Sequence, residues 1–162
     1  MTKDARLIRR QIESPLGPLT LVAAEAALVG IYFENHAKGG PPASAVPGES
    51  SVFDVVRDQI DAYFAGSRSV FDVPLAPRGT SFQAQVWTLL QRIPYGGSTS
   101  YGALAAEMGR PSAVRAVAGA VARNPISIII PCHRVIGASG KLTGFAGGLD
   151  RKARLLALEG RV

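Results

Sequence analysis

Hydrophobic residues keep one rhythm in the first third of this 162-residue chain and another in its second half. A segment that alternates like a strand cannot bury the same residues when coiled as a helix, so the change of period divides the chain into two kinds of structure. Between residues 7 and 34 lie three short β-type runs, LIRRQIE, PLTLVA and ALVGIYF, separated by the turn signals Ser14-Pro15-Leu16-Gly17-Pro18 and Glu25-Ala26-Ala27. These predict an antiparallel sheet. The stretch His36–Ser51 is rich in Gly, Pro, Ala and Ser and reads as an exposed loop. Val52–Phe64 then has helical spacing, with Val52, Val55, Val56, Ile60 and Tyr63 on the inward face. Ser69–Leu75 is a short run able to rejoin the sheet, and Ala76-Pro77-Arg78-Gly79 marks a linker. The boundary is placed there, giving residues 1–78 and 79–162 as two domains.

The second half reads as helices. Thr80, with Gln83 three residues on, forms a capping box ahead of the stripe Phe82, Val86, Leu89 and Leu90. Ile93-Pro94-Tyr95-Gly96-Gly97 stops that helix. Ser100 caps the next, with Tyr101, Leu104, Ala105 and Met108 at i, i+3, i+4 and i+7, and Gly109 ends it. After Gly109-Arg110-Pro111 a third helix carries Val114, Val117, Ala118 and Val121 inward, so the pair predicts a helix-turn-helix. Its other face holds Ser112, Arg115, Ala116, Gly119, Ala120 and Arg123. Small residues there let a backbone approach a duplex and the arginines reach phosphates or bases, although ordinary helix packing also uses Ala and Gly.

Charge follows the same division. Residues 1–80 carry 8 Lys/Arg against 9 Asp/Glu, while residues 81–162 carry 10 against 3, so the net +6 of the chain arises entirely in the second half. A solvated basic surface and a polyanion partner are both compatible with that balance. The start MTKDARLIRR has no apolar run behind it and no later run approaches bilayer length, so the expectation is a cytoplasmic protein, nucleoid-associated in a prokaryote, without a membrane partner. One cysteine, with His36 and His133, makes neither an internal disulfide nor the usual Cys/His zinc set. No metal or cofactor is expected.

Ile126–Ile130 is apolar apart from Ser127 and reads as a buried strand that leads straight into Pro131-Cys132-His133-Arg134. A lone cysteine is ordinarily a small buried hydrophobe. A thiol with a pKa of about 8.5 needs a base or a positive field to become a useful nucleophile, and His133 and Arg134 offer one of each.

The run Pro131-Cys132-His133-Arg134-Val135-Ile136-Gly137 resembles the active-site motif of the O6-alkylguanine-DNA alkyltransferases. Its surroundings are similar in order and spacing: Val86-Trp87, Ile93-Pro94, Ser100-Tyr101, Gly109-Arg110-Pro111, Arg115-Ala116-Val117, Asn124-Pro125, Gly144-Phe145-Ala146-Gly147-Gly148 and Glu159. The likeness is strong from Ser81 to Gly160 and one of layout only before that. It implies an α/β (α+β) chain in two parts: a small ribonuclease-H-like sheet-and-helix domain, then a mostly helical, winged-helix-like domain with the helix-turn-helix.

The resemblance also implies roles. Cys132 takes the alkyl group from the O6 oxygen of guanine as a stable thioether, once per molecule, and a chain with no second cysteine has no resolving thiol. His133 accepts the thiol proton through a water, and Glu159 orients the imidazole. Tyr101 gives a proton to the departing guanine, and Asn124 hydrogen-bonds near the active-site turn. The base is flipped out of double-stranded DNA, with Arg115 filling the stack and the helix lying in the minor groove, with Ser112, Ala116, Gly119 and Arg123 beside it. Backbone groups of Cys132 and Val135 read the guanine edge, and the Ala146 amide lies near O6. Phe145 stands where many relatives have tyrosine and Ser127 where some have proline, so pocket shape is open. The zinc ligands some relatives carry in the N-terminal domain are not visible.

Blander readings accompany these: Tyr101 as core packing, Asn124 as a helix end, Arg115 as a solvated arginine, Glu159 as a frayed helix end before Gly160. Glu159 lies three and four residues after Leu156 and Leu155, beside the inward stripe, where a carboxylate needs a partner such as His133. Three rival functions remain: a non-catalytic alkyl-lesion binder on the same scaffold, a cysteine hydrolase, and a plain DNA-binding module. Retention of Cys132 and Glu159 disfavours the first, the absence of any sign of an acyl pocket the second, and the motif the third. No heptad or other oligomer signal is present, which makes a monomer with no obligate protein partner the expectation.

Overall fold

A computed structural model describes residues 6–36, 40–137, 140, 142 and 144–160. The first five residues of the charged start, and residues 37–39 of the expected loop, lie outside them. β1 (Leu7–Ile12), β2 (Leu19–Ala24) and β3 (Ala27–Phe33) form the expected antiparallel meander, and β4 (Val46–Pro47) adds a parallel strand beside β1, giving the order β3-β2-β1-β4. β4 lies in the stretch read as a loop. Two residues with a proline are too short to leave a periodic trace, yet Pro47 is tolerated because β4 is an edge strand.

α1 (Ser51–Phe64) is capped by Ser50, whose side chain accepts the Val52 amide, and it lays Val52, Phe53, Val56, Ile60 and Tyr63 on the sheet. Val55 was placed inward by its spacing, but it is 41% exposed. Phe53, on the other side of the stripe and next to Ile60 on the helical wheel, is buried instead. The other face of the sheet buries Leu7, Val22, Ala24, Val29, Tyr32 and Ala45. Ser69–Leu75 forms no strand; it touches β3 only through a bridge between Leu28 and Leu75, with Leu28 N donating to Pro74 O at 2.9 Å and Ala76 N to Leu28 O at 2.8 Å.

α2 (Ser81–Leu90) begins with the expected capping box: the Gln83 amide donates to Thr80 Oγ1 at 3.1 Å and the Thr80 amide to Gln83 Oε1 at 3.0 Å. Its largest buried side chain, Trp87, was absent from the predicted stripe. The indole Nε1 donates to Ala120 O at 2.8 Å and ties α2 to α4 (Val114–Ala122). α3 (Tyr101–Glu107) is capped by Ser100 and followed by Gly109 at φ +72°, a conformation glycine adopts without strain. The α3–α4 connection is longer than expected, because α4 starts only at Val114, with no side-chain cap.

The final segments complete the C-terminal unit. β5 (Thr99–Ser100) pairs in parallel with β6 (Val135–Ile136), and α5 (Leu149–Leu158) closes the chain over a 3-10 turn at Cys132–Arg134. The Ile126–Ile130 run is not a strand. Ile126 makes a single bridge to Ile31 on β3, after which the chain turns, with Ile128 at φ +73°. A β-branched residue is strained there, so the surrounding buried packing must hold the turn.

Candidate active site

The turn before Cys132 is built around Asn124. Its side-chain Nδ2 donates to Ile130 O at 2.7 Å and to Ile126 O at 3.4 Å, while its Oδ1 accepts the Ile126 amide at 3.0 Å. A buried amide with both ends occupied does more than end a helix, because it fixes both ends of an irregular loop. Cys132 follows with its amide on Ile130 O at 2.7 Å and is almost fully buried. Burial pushes its thiol up to about 11, against the opposing pulls of a hydrogen bond from Asn124 and the charge of Lys152. At rest the proton therefore stays on sulfur.

His133 has no exposed surface, and its Nε2 lies 2.8 Å from Glu159 Oε2. Burial favours the charged-free form of that imidazole and lowers its pKa, although Glu159 pulls the other way. Burial also works against the Glu159 carboxylate, but hydrogen bonds from His133 and Arg134 outweigh it and hold the group well below the usual carboxylate range. An anionic acceptor requires a hydrogen on Nε2, which assigns the tautomer. The bare nitrogen is Nδ1, which is buried and has no protein hydrogen-bond partner among the described residues. The blander reading of Glu159 as a frayed, solvated helix end is thus ruled out: the residue is the C-cap of α5 and 5% exposed.

Arg134 does not supply the positive field that its position next to Cys132 suggested. Its Nε donates to Glu159 Oε1 at 2.8 Å, Nη2 to Oε2 at 2.9 Å and Nη1 to Ile93 O at 2.6 Å. The cation that favours the thiolate is Lys152, a residue the sequence reading did not single out. It is fully buried, donates from Nζ to Val135 O at 2.6 Å, and is lowered by burial to about 8. A signal was present: Lys152 stands three, four and seven residues before Leu155, Leu156 and Glu159, on the one stripe that faces inward.

The remaining expected site residues lie around this centre or on the helix pair. Val135 is buried, and its amide donates to Cys132 O. β5–β6 pairing brings Tyr101, the first residue of α3, beside this segment, and Tyr101 is half-buried. Phe145 and Ala146 are half-buried, with Phe145 edge-on to Phe33 of β3 at 5.7 Å between ring centroids. Ser127 is buried in the turn, with its amide toward Ile31 O at 3.4 Å and its carbonyl accepting the Ile129 amide at 2.9 Å.

On the helix-turn-helix, Arg115 and Ala116 are exposed on α4. Ser112 is exposed too, but in the connection before the helix, and Arg123 is the C-cap. Ala120 does not belong to that face, since it is buried under Trp87. A Cβ added to Gly119 would meet nothing within 4 Å. Glycine costs a helix interior about 1 kcal/mol relative to alanine, and packing inside this molecule gives no reason for it.

Among the described residues no cluster of three His, Cys, Asp or Glu could hold a metal ion, and no helix is long and apolar enough to cross a membrane.

The buried Cys132, the buried His133–Glu159 pair and the α3–α4 helix pair all lie in one unit of the chain. Two family models match the chain: the ribonuclease-like domain of 6-O-methylguanine DNA methyltransferase over residues 7–77, and the DNA binding domain of the same protein over residues 81–161. The chain belongs to the 6-O-methylguanine DNA methyltransferase family.

Relatives named methylated-DNA--protein-cysteine methyltransferase include one from Methanosarcina acetivorans, 51% identical over 91% of this chain and 95% of its own length. Another, from Mycobacterium bovis, is 49% identical over 93% and 90%. Among solved structures, Mycobacterium tuberculosis OGT in complex with DNA superposes with a TM-score of 0.87 at 48% identity, covering 93% of this chain and 91% of that one. The fold, an N-terminal sheet domain followed by a helical DNA-binding domain, is that of these neighbours.

Proposed function

We propose that this chain repairs DNA by direct reversal, moving an alkyl group from the O6 oxygen of guanine to Cys132 in a single, irreversible turnover. The observation that carries the reading is the buried His133–Glu159 pair beside the chain's only cysteine, in a member of this family. The thiol proton passes through a water to Nδ1 of His133. The sulfur attacks the alkyl carbon, the carbon–O6 bond breaks, and its electron pair stays with guanine. Tyr101 protonates the departing base, and the proton held on His133 passes through solvent to restore the Tyr101 phenol. Because the resting thiol is protonated, reaction waits for a base seated in the pocket of Val135, Phe145 and Ala146, which guards a single-use residue against stray electrophiles.

The substrate is a base in double-stranded DNA, approached from the minor groove and flipped out of the stack. Support comes from the exposed Arg115 and Ala116 and from the open surface at Gly119, which suit close contact with a narrow groove. The protein acts as a monomer in the cytoplasm, without a cofactor.

Arg115→Ala is expected to slow repair of a duplex containing O6-methylguanine about tenfold or more, because the flipped base is no longer held out. Affinity for undamaged duplex should change little. Single-turnover rates and a salt titration of binding check this. An unchanged rate, or a loss confined to salt-dependent affinity, would make Arg115 a simple phosphate contact.

A further inference from the structure

Glu159 accepts one hydrogen bond from outside the C-terminal unit. Tyr63, on the inward face of α1 and without exposed surface, places its hydroxyl 2.6 Å from Glu159 Oε2 across 96 positions of sequence. Its ring is held edge-on by Phe64 at 5.2 Å and Tyr95 at 6.2 Å and packs against Phe71 at 5.3 Å. A buried tyrosine needs an acceptor, and any convenient carbonyl would serve. This one takes the same carboxylate oxygen that His133 uses. Oε2 thereby meets three donors, Tyr63, His133 Nε2 and Arg134 Nη2, while Oε1 meets Arg134 Nε and the Gly96 amide at 3.4 Å.

We infer that Tyr63 is a positioning residue: through its hydroxyl the N-terminal domain fixes which oxygen of Glu159 engages His133 and keeps that oxygen anionic while the imidazole carries the thiol proton. This deepens the proposed function and rests on it for the identity of the reaction. Three donors share the charge of Oε2, so its affinity for the His133 proton is held down and the proton stays on the ring. Losing the tyrosine hydroxyl leaves more of that charge for His133 Nε2–H, which makes the imidazole more basic. The other groups facing the pair are Arg134 on both oxygens, Lys152 and Cys132 on the sulfur side, and Tyr95 against the Tyr63 ring.

The test needs no DNA for its first arm. The chain has two histidines, so side-chain 15N spectra of histidine-labelled protein are assigned with a His36→Gln variant. In wild type, His133 should appear as the Nε2–H tautomer near neutral pH, and a slowly exchanging Tyr63 hydroxyl proton should show proximity to it. In Tyr63→Phe the His133 midpoint should rise by roughly 0.5 to 1 pH unit, and the acid limb of the single-turnover methyl-transfer rate should rise with it. A midpoint and acid limb that are unchanged or lowered in a folded Tyr63→Phe protein overturn the inference, as does a rapidly exchanging hydroxyl in wild type. If the midpoint moves as expected but wild type transfers no methyl to Cys132, the proposed function fails and the positioning stands.

Discussion

Replacing Cys132 by alanine is expected to abolish methyl transfer completely while leaving binding to duplex DNA within about twofold of wild type. The chain holds no second thiol to take over. The side chain contributes no exposed surface to α4, where the expected DNA contacts lie. Removing one sulfur from a packed turn costs about 1 kcal/mol, so the protein should stay folded. A serine variant should be equally inactive: its hydroxyl is a far weaker nucleophile, and a base held neutral by burial cannot compensate. Binding assays with methylated and unmethylated duplexes, beside a transfer assay, separate chemistry from recognition. Residual transfer by Cys132→Ala would point to another acceptor.

Glu159→Gln should damage both stability and chemistry. Among the described residues the carboxylate is the only acidic group that Arg134 meets, and it also takes His133, Tyr63 and the Gly96 amide. A glutamine presents an amide donor where donors already converge and strands the guanidinium without an anion. Breaking a buried pair in this way costs about 3–5 kcal/mol, lowering Tm by roughly 10 °C in a chain of this size. The transfer rate should fall about 10²- to 10⁴-fold as the tautomer of His133 is released.

The loss of stability has a pH signature. Glu159 has a folded-state pKa below its unfolded value, so its contribution is fully present above the ordinary carboxylate range and disappears as pH falls through the folded value. The difference in stability between wild type and Glu159→Gln should therefore be largest near neutral pH and narrow in acid. His133, whose pKa burial lowers, acts in both proteins: below about pH 6.5 the unfolded chain takes up a proton that the folded one resists. Thermal melts from pH 2 to 8 check this, with the narrowing expected below about pH 4.5, and a difference that grows toward acid would contradict the assigned ionisation.

Local chemistry made much of this molecule legible in the sequence. The meander, the Thr80–Gln83 box and the Ser100 cap each follow from residues within a few positions of one another. The carboxylate partner of His133 was readable because Glu159 sits beside an apolar stripe, where an unpaired charge is costly. What escaped depends on contacts distant in sequence. Ile126–Ile130 has the composition of a strand, but β3 offers it only one bridging position at Ile31, and Asn124 closes it into a turn. Arg134 looked like the cysteine's charge by adjacency, yet a 3-10 turn sends neighbouring side chains in different directions, so the guanidinium goes to Glu159 and Lys152 of α5 provides the field. Tyr63 was read correctly as inward, but that its hydroxyl ends on a carboxylate from the other domain could not be seen before the domains were packed.

Cys132 is expected to accept the alkyl group and to keep it. The most direct measurement is the intact mass of the protein after incubation with excess duplex containing O6-methylguanine, followed by peptide mapping. A gain of one methyl group per chain is expected, located on Cys132, with one equivalent of guanine restored and no further turnover. Repair that continues beyond one equivalent, or a methyl group found on any other residue, would contradict it.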